Sequence, residues 1–389
     1  MRDLVGEATK WGMRVGFFEG KKPAAILKHA IIDKYISPFV GKTGLYSPDH
    51  RVAIVDGYAG EGRYDNGDEA SPALLLRKAR ELRPINRKLE GYFVESDPES
   101  LTKLRQVVAA EGEGLPMQVF AGSIEDHLDD LLTLVKGIPA LVYLDPFGVM
   151  IPFAKTAQVF ARRPEHPPAT ELLINFSAVG LRRVAGLLTS TKENAGRAAT
   201  LARMDAACGG GWWQKVWLDH EDDKERAEMA VVVEYTRRLA VNQRCSWWVT
   251  PVRNRARHKP LYYLVFLTRH RDGFSEFAEA LSLGLGQWRK AVYDIENADT
   301  LFADEASFKA SEQVLEDGWI NEIEANLRRL LAEGKPFVIS KRYSEVYGEA
   351  AGQARQKHLR KAWARLYPDV TKTSPKGKDK LFQALIEPA

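Results

Sequence analysis

The amino-acid sequence predicts an α/β protein with a mostly parallel, Rossmann-like sheet covered by helices. Two observations predict this fold. Between Val52 and Phe176, short apolar runs alternate with longer segments whose apolar residues recur every three or four positions. The short runs are rich in β-branched, aromatic and aliphatic residues, as expected of strands buried on both faces. Because consecutive parallel strands need crossover connections, this alternation indicates a parallel sheet.

The individual elements follow from these runs in chain order. The predicted parallel strands are Val52 to Asp56, Gly91 to Glu95, Met117 to Phe120, Ala140 to Asp145 and Leu172 to Phe176. Helical spacing predicts crossover helices such as Pro98 to Ala110 and Ile124 to Val135. Two later runs, Trp247 to Val252 and Leu261 to Phe266, predict a final antiparallel pair of strands. A parallel sheet that ends in such a pair resembles the class I methyltransferase version of the doubly wound fold.

The remaining segments predict a division into three parts. We expect a helical N-terminal extension over residues 1–50, a main domain over 51–293 and an accessory domain over 294–389. Residues 189–223 do not fit the alternation and are interpreted as an insertion. Net charge changes from −8 over residues 294–333 to +7 over residues 341–380, and so abrupt a change indicates a separate module. We expect a small α/β or winged-helix-like fold there, with a hairpin or wing over Thr371 to Leu381.

Composition excludes several classes of protein. The 389 residues are 45% hydrophobic and 28% charged, which is ordinary for a globular chain. The two cysteines, Cys208 and Cys245, form no C-x-x-C pair, which argues against a zinc site or a disulfide framework. The sequence contains no run of about 18 apolar residues, so it predicts no membrane span. We therefore expect a cytoplasmic protein with no metal site and no membrane partner.

A glycine-rich turn follows the first predicted strand. It runs Asp56-Gly57-Tyr58-Ala59-Gly60-Glu61-Gly62, and its glycines let a ligand approach the backbone. A dinucleotide is one candidate ligand. However, the turn lacks the G-x-G-x-x-G spacing of nicotinamide sites, and its initial carboxylate would repel a pyrophosphate. That carboxylate suits the cationic amino-acid end of S-adenosylmethionine, which we therefore predict as the cofactor, with Asp56, Gly57, Tyr58, Gly60 and Gly62 among its ligands.

Two further strand ends supply the rest of the predicted cofactor site. Glu95 and Ser96 end the second strand, where a carboxylate can accept hydrogen bonds from both ribose hydroxyls. Ser123 and Ile124 follow the third strand and are expected near the adenine edge. Because the carboxyl ends of neighbouring parallel strands share one crevice, these loops are expected to converge.

The end of the fourth strand carries the predicted catalytic residues. It reads Leu144-Asp145-Pro146-Phe147-Gly148, which resembles the Asp/Asn-Pro-Pro-aromatic turn of nucleic-acid amino-methyltransferases and, locally, tRNA guanine-N2 methyltransferases. The resemblance implies that Asp145 and a backbone carbonyl of the turn accept hydrogen bonds from the target amino group, and that Pro146 helps to position it. It also implies that Phe147 stacks on the base. Positioning of this kind accounts for most of the catalysis of a weak nucleophile.

A wider resemblance covers roughly residues 24–291. The helix Lys28-His29-Ala30-Ile31-Ile32-Asp33-Lys34-Tyr35, the turn Asp56 to Gly62, the strand end Phe93 to Asp97, the Asp145-Pro146 turn and the run Tyr262 to Phe266 before Arg269-His270 are similar to the three-Cys-motif partner family. The resemblance implies a methyltransferase-like fold and a radical-type, cysteine-motif protein as partner. It implies no particular substrate.

Basic residues predict where nucleic acid would bind. They lie in the loop between the last two strands and in the basic half of the accessory domain: Arg253, Arg255, Arg257, Lys259, Arg355, Lys357, Arg360, Lys361, Lys376 and Lys378. The acidic half of that domain could instead neutralise the second group. Paired tryptophans such as Trp212-Trp213 are more often buried than exposed for stacking, and His29 is expected on a solvated helix face.

The sequence therefore predicts methyl transfer from S-adenosylmethionine to a nitrogen of a DNA or RNA base. Two alternatives stay open. One is a methyltransferase acting on a small molecule or a protein. The other is a catalytically silent, methyltransferase-like subunit that delivers nucleic acid to a partner enzyme.

Overall fold

The computed structural model describes residues 22–146, 148–161, 169–190, 196–220, 222–298, 304–376 and 381–389. Seven strands of this part of the chain form the central sheet: β1 (Arg51–Asp56), β2 (Lys88–Glu95), β3 (Met117–Ala121), β4 (Ala140–Leu144), β5 (Thr170–Ser177), β6 (Ser246–Val252) and β7 (Tyr262–Thr268). Their order in space is β3-β2-β1-β4-β5-β7-β6. The first five strands are mutually parallel, and β7 is antiparallel to both β5 and β6.

Helices cover both faces of this sheet. They are α1 (Pro23–Thr43), α2 (Ser71–Leu82), α3 (Pro98–Glu111), α4 (Ile124–Leu134), α5 (Phe153–Ala161), α6 (Ala178–Ala185), α7 (Arg197–Cys208), α8 (Trp212–Leu218), α9 (Lys224–Gln243) and α10 (Arg271–Glu296). The predicted Rossmann-like α/β fold is thereby confirmed, including the final antiparallel pair. Strand order reverses at β1 and β4, and ligands of such sheets bind at the carboxyl ends of the strands beside this reversal.

The two faces have separate apolar cores. One core joins the sheet to α4 through α9, and the other joins it to α1, α2 and α10. Helices α7 and α8 occupy the segment interpreted as an insertion, and they pack into the first core. Trp213 is fully buried there and donates from its indole nitrogen to Asp205 (2.7 Å). This confirms the interpretation of Trp213 as a core residue.

Helix α1 is an integral wall of the second core. Proline stands at its first position, where its missing amide costs no hydrogen bond. Its apolar residues, among them Leu27, Ile31, Tyr35 and Phe39, are buried against the sheet and α10. The predicted N-terminal helix therefore spans the sheet face and reaches both of its edges.

The described part of the accessory domain has its own small core. It contains α11 (Glu305–Leu331), β8 (Phe337–Val338), α12 (Tyr343–Tyr347), α13 (Gln356–Ala364) and β9 (Leu385–Ile386), with β8 and β9 antiparallel. Its core packs against Trp248, Phe274 and Ala278 of the main domain. Residues 377–380 of the predicted hairpin lie outside the described residues. The winged-helix-like assignment and the domain boundaries stay predictions.

Within the described ranges, the helices are too short or too polar to cross a membrane.

Candidate active-site cleft

A cleft of about 500 Å³ opens at the carboxyl ends of β1, β2 and β4. Cavities of this size hold cofactors and drug-sized ligands. Five of the predicted site residues line it directly: Tyr58, Gly60, Glu95, Ser96 and Asp145. The fourth wall comes from α1 through Lys28, His29 and Ile32. His29 is buried rather than solvated, so the expectation for its helix face was wrong, because α1 lies against the sheet.

Asp56 ends β1 beneath the cleft and is completely buried. Its carboxylate accepts hydrogen bonds from the Ser71 hydroxyl (2.5 Å) and the Tyr58 amide (3.2 Å). Burial raises the pKa of Asp56 to about 6, against the opposing effect of the Ser71 hydrogen bond. A buried carboxyl of this kind fixes the turn that follows it, and its charge favours a cationic ligand group nearby.

Glu95 ends β2, one strand away from Asp56. Its two carboxylate oxygens accept hydrogen bonds from the backbone amides of Gly60 (2.7 Å) and Asp97 (2.8 Å). A carboxylate offers about four acceptor positions, so acceptor capacity remains for ligand hydroxyl groups. The two amides fix the orientation of Glu95 at the wall of the cleft.

Glycine occupies the three positions of the turn for different structural reasons. Gly60 has a φ of 64°, and no atom lies within 4 Å of the place where a Cβ would stand. A Cβ at Gly57 would instead lie 2.9 Å from side-chain atoms of Ile124 and Leu144, so close packing explains Gly57. Gly62 has a φ of 87° and lies against Val107. Of the three predicted glycine ligands, only Gly60 lines the cleft.

The two predicted adenine contacts do not line the cleft. Ser123 caps α4, because its hydroxyl accepts from the Asp126 amide (3.3 Å) and donates to the Asp126 carboxylate (2.7 Å). Ile124 is buried in the core against Gly57. These contacts give both residues a structural role at the start of α4.

Asp145 follows β4 and is the centre of a polar network. One carboxylate oxygen accepts from the Lys28 ammonium (2.6 Å) and the Tyr143 hydroxyl (3.0 Å). The other accepts from the Asn175 amide group (2.5 Å). Counting four acceptor positions on a carboxylate leaves about one for a ligand. Three donors from α1, β4 and β5 therefore hold Asp145 in place.

Lys28 and Asp145 form an ion pair at the cleft, with each side chain 23% exposed. Burial alone would lower the pKa of Lys28, but the Asp145 carboxylate raises it above its ordinary value. Lys28 is therefore a cation at neutral pH, and the cleft contains a fixed positive charge beside Asp145.

The other predicted catalytic residues are placed only in part. Pro146 is buried, and its carbonyl accepts from the Gly148 amide (3.1 Å). A carbonyl oxygen has a second lone pair, so the Pro146 carbonyl retains one acceptor position. Phe147 lies outside the described residues.

The basic loop between β6 and β7 lies at the same edge of the sheet as the cleft. Asn254 accepts from the Ala24 amide (3.3 Å), and Tyr262 donates to the Ala24 carbonyl (3.0 Å), which joins the loop to the start of α1. Arg253 pairs with Glu225 and donates to the His258 carbonyl (2.8 Å). Arg257 and Lys259 are exposed and Arg255 is half-buried. Arg253 therefore stabilises the conformation of the loop, and Arg255, Arg257 and Lys259 follow it along the loop.

The basic residues of the accessory domain are partly neutralised. Arg355 pairs with Glu279 of α10 (2.6 Å), and Lys357 pairs with Glu316 of α11 (2.5 Å). Arg360 donates to the Pro375 carbonyl (2.5 Å). Lys361 and Lys376 are exposed, and Lys378 lies outside the described residues. The acidic and basic halves of this domain therefore neutralise each other in part.

Sequence reasoning gave no role to several polar residues of the cleft network. These are Ser71, Tyr143 and Asn175. From the sequence, Lys28 was considered only as part of a helical motif. A signal existed for Asn175, because an amide inside the apolar strand Leu172 to Phe176 needs a polar partner. No local pattern could pair Lys28 with a carboxylate 117 positions away.

No protein-family model and no curated protein sequence matches the chain. Among solved structures, a protein provisionally assigned as a caffeoyl-CoA O-methyltransferase from Staphylococcus aureus is 7% identical, with a TM-score of 0.33 and coverage of 64% of this chain and 93% of that one. The SAH-bound methyltransferase PaMTH1 of Podospora anserina is 12% identical, with a TM-score of 0.30 and coverages of 68% and 98%.

The precorrin-6y C5,15-methyltransferase of Geobacter metallireducens GS-15 is 11% identical, with a TM-score of 0.28 and coverages of 60% and 86%. Likeness at these values assigns no family.

Proposed function

We propose that this protein transfers a methyl group from S-adenosylmethionine to a nitrogen of a nucleic-acid base. The observation that carries the proposal is the cleft at the strand-order reversal, with Glu95 on one side and the Asp145 network on the other. Cofactors of doubly wound sheets bind at this point.

The residues on the β1 and β2 side fit the methyl donor. Two backbone amides hold the Glu95 carboxylate in place. In this orientation Glu95 would accept hydrogen bonds from the ribose hydroxyls. Gly60 leaves open space beside the turn for the methionine end. The negative charge of this wall, with Asp56 below it, suits an ammonium and a sulfonium.

The residues on the β4 side fit an amino acceptor. Asp145 retains about one acceptor position, and the Pro146 carbonyl retains another. Two such acceptors can orient the two hydrogens of an exocyclic amine and direct its lone pair at the donor methyl group. In the transfer, the N–CH₃ bond forms as the S–CH₃ bond breaks, and the amine releases one proton.

The basic loop supports nucleic acid as the molecule that carries this amine. Arg255, Arg257 and Lys259 lie at the edge of the sheet where the cleft opens, and such side chains contact phosphates. Because Arg355 and Lys357 of the accessory domain already form ion pairs, with Glu279 of α10 and Glu316 of α11, the loop is the better candidate for the first contact with the substrate.

The test is incubation of the purified chain with methyl-labelled S-adenosylmethionine and total RNA or DNA, followed by mass spectrometry of the nucleosides. The proposal expects label on a base nitrogen, and no label with the Asp145→Asn variant. Label on a protein or a small molecule, with nucleic acid unlabelled, would contradict the substrate class. Donor binding without any transfer would favour the catalytically silent alternative.

A second candidate function is favoured by the Lys28–Asp145 ion pair. A cation fixed at an acceptor site stabilises a developing oxyanion, which would suit a ribose hydroxyl as acceptor. Label on the ribose in the same mass spectrum would support this candidate against the base nitrogen.

A further inference from the structure

An ion pair outside the cleft is bonded directly to the basic loop between β6 and β7. Arg182 of α6 donates from one guanidinium nitrogen to both carboxylate oxygens of Glu228 in α9 (2.9 and 2.8 Å). The second terminal nitrogen of the same group donates to the carbonyl of Pro260 (2.8 Å), which lies near the end of the loop. Glu228 is completely buried, and the Arg182 side chain is 22% exposed. One guanidinium group therefore joins α6, α9 and the loop.

Other contacts hold the two ends of the loop against neighbouring helices. Arg253, at the first position of the loop, pairs with Glu225 of α9. The carbonyl of Arg253 accepts from the indole nitrogen of Trp288 in α10 (2.7 Å). At the other end, the Leu261 carbonyl accepts from the backbone amide of Ala178 at the start of α6 (3.1 Å). Helix α6 therefore fixes the end of the loop through its backbone as well as through a side chain.

The charge of the loop disfavours a single conformation of its backbone. Four cations lie within seven positions: Arg253, Arg255, Arg257 and Lys259. Like charges so close in sequence repel one another. The carboxylates of Glu225 and Glu228 offset this repulsion, and the positive charge of Lys259 acts on both. The two acids of α9 therefore favour a compact conformation of the loop.

Stability of the fold is not the main gain from the ion pair of Arg182 with Glu228. Burial raises the pKa of Glu228 although Arg182 opposes the shift, so its partner does not fully offset the cost of burying the carboxylate. Replacing a buried ion pair with apolar side chains is often neutral or stabilising. An apolar pair would not supply the hydrogen bond to Pro260, because that bond depends on the planar guanidinium with its fixed donor directions. The pair therefore sets the position of the loop.

We propose that Arg182 and Glu228 are positioning residues for the nucleic-acid substrate. Glu228 orients the Arg182 guanidinium, which holds Pro260 and thereby places the cations of the loop where they meet phosphates together. This role rests on the proposed function, because nucleic acid is the ligand that the loop would meet. Both residues act through the loop and touch neither the substrate nor the methyl donor.

Hydrogen exchange of the full chain, followed by mass spectrometry, measures the positioning of the loop without any nucleic acid. Glu228→Gln keeps the shape of the side chain but removes its charge. The backbone amides of residues 253–261 should then exchange about tenfold faster, the value of one charge-assisted hydrogen bond. Arg182→Lys keeps a cation for Glu228 but loses the planar group that reaches the loop, and it should accelerate the same amides. The matched control Glu90→Gln breaks the pair of Glu90 with Arg51 near the amino ends of β1 and β2 and should leave the exchange of the loop unchanged.

Salt titration of the affinity for a short duplex and a structured RNA measures the consequence for binding. Glu228→Gln should reduce the slope of log affinity against log salt by roughly 0.7 to 0.9 for each phosphate contact that the displaced loop loses. Its affinity should decrease although the variant is more positive by one charge, whereas an effect of charge alone would increase it. Glu90→Gln makes the same change of charge and should show no decrease. Thermal unfolding establishes that each variant is folded.

Two results would overturn the positioning role of Arg182 and Glu228. One is unchanged exchange of residues 253–261 in both Glu228→Gln and Arg182→Lys. The other is an unchanged or higher affinity of Glu228→Gln for a nucleic acid that the wild type binds. If the wild type binds neither nucleic acid, the proposed function fails, while faster exchange of the loop in the two variants would establish that the pair positions it.

Discussion

Asp145 carries the acceptor side of the proposed reaction, and its replacement is the sharpest test at the scale of one residue. Asp145→Asn preserves shape but removes the charge that Lys28, Tyr143 and Asn175 surround. We expect methyl transfer to fall about a hundredfold or more, as on loss of one group that acts in the transition state. Donor affinity should stay within about twofold, since Glu95 and the turn are untouched. Equal loss of donor affinity, measured by calorimetry, would contradict this role.

Replacement of Lys28 distinguishes between the two candidate acceptors, a base amine and a ribose hydroxyl. With an amine acceptor, Lys28 only orients Asp145, and Lys28→Met should lower the rate about tenfold, the value of one charge-assisted hydrogen bond. With a hydroxyl acceptor the ammonium would stabilise the reacting oxygen, and the rate should fall about a hundredfold to a thousandfold. Lys34→Met on the same helix, where Lys34 pairs with its neighbour Asp33, is the matched control. Steady-state rates with the labelled donor decide between these outcomes.

Glu171 makes stability depend on pH. Burial raises the pKa of this carboxyl to about 7 in the folded chain, against an ordinary pKa of 4.5 in the unfolded chain, so the unfolded state releases its proton at lower pH. Folding stability therefore decreases as pH rises from about 4.5 to 7, by up to about 3 kcal/mol from this group. Glu171→Gln lacks this decrease, so its stability relative to the wild type should increase over that range. Denaturant titrations at pH 4.5 and 7.5 measure it, and a constant difference would contradict the explanation.

Single residues also show the limits of sequence reasoning. Asp56, Tyr58, Gly60, Glu95, Ser96 and Asp145 could be found because strand ends and turns are local patterns. Ser123 and Ile124 follow a strand end equally well, yet their contacts are those of a helix cap and a core residue. Lys28 and Glu171 depend on which helix covers which strand, and no local pattern contains that information.

At the scale of elements, the loop between β6 and β7 and helix α13 are competing nucleic-acid surfaces. Arg355 and Lys357 of the α13 region are ion-paired, whereas Arg257 and Lys259 of the loop are exposed. A cation that is already paired releases fewer counterions on binding a phosphate. The loop should therefore contribute more of the salt-dependent affinity.

Replacing Arg255, Arg257 and Lys259 together with Ala should reduce the slope of log affinity against log salt by roughly 0.7 to 0.9 for each phosphate that the variant no longer neutralises. Arg355→Ala with Lys357→Ala is the matched control and should reduce it less. Salt titrations with a short duplex and a structured RNA measure both. A larger reduction in the control would transfer the docking surface to the accessory domain. Charge variants are preferable to truncation near Val292, which would expose Trp248 and Phe274.

The strands and helices themselves were largely predictable. Apolar runs indicated all five parallel strands, and the antiparallel pair followed from Trp247 to Phe266. The expectation of burial on both faces was wrong for β3, because it is an edge strand and none of its residues is fully buried. The packing of α1 against the sheet was not predictable, because its buried side covers most of its circumference and no narrow apolar stripe marks it. The pairing of β8 with β9 joins residues nearly fifty positions apart and has no local signal.

Two cavities lie at opposite ends of the strands of this sheet, and α1 lines both. Lys28 contacts Asp145 at the carboxyl edge, and Tyr35, two turns later, contacts Glu171 at the amino edge. The proposed chemistry belongs to the first cavity. Its central requirement is that the cleft binds the methyl donor.

Calorimetric titration with S-adenosylhomocysteine, the demethylated product, tests this requirement most directly. We expect micromolar affinity, a free energy of about −8 kcal/mol. Affinity should be at least tenfold weaker in Glu95→Ala, which removes the charged acceptor of two ribose hydroxyls. The neighbouring exposed variant Glu99→Ala should bind like the wild type. No binding to the wild type, or equal binding to Glu95→Ala, would contradict the assignment of the cleft.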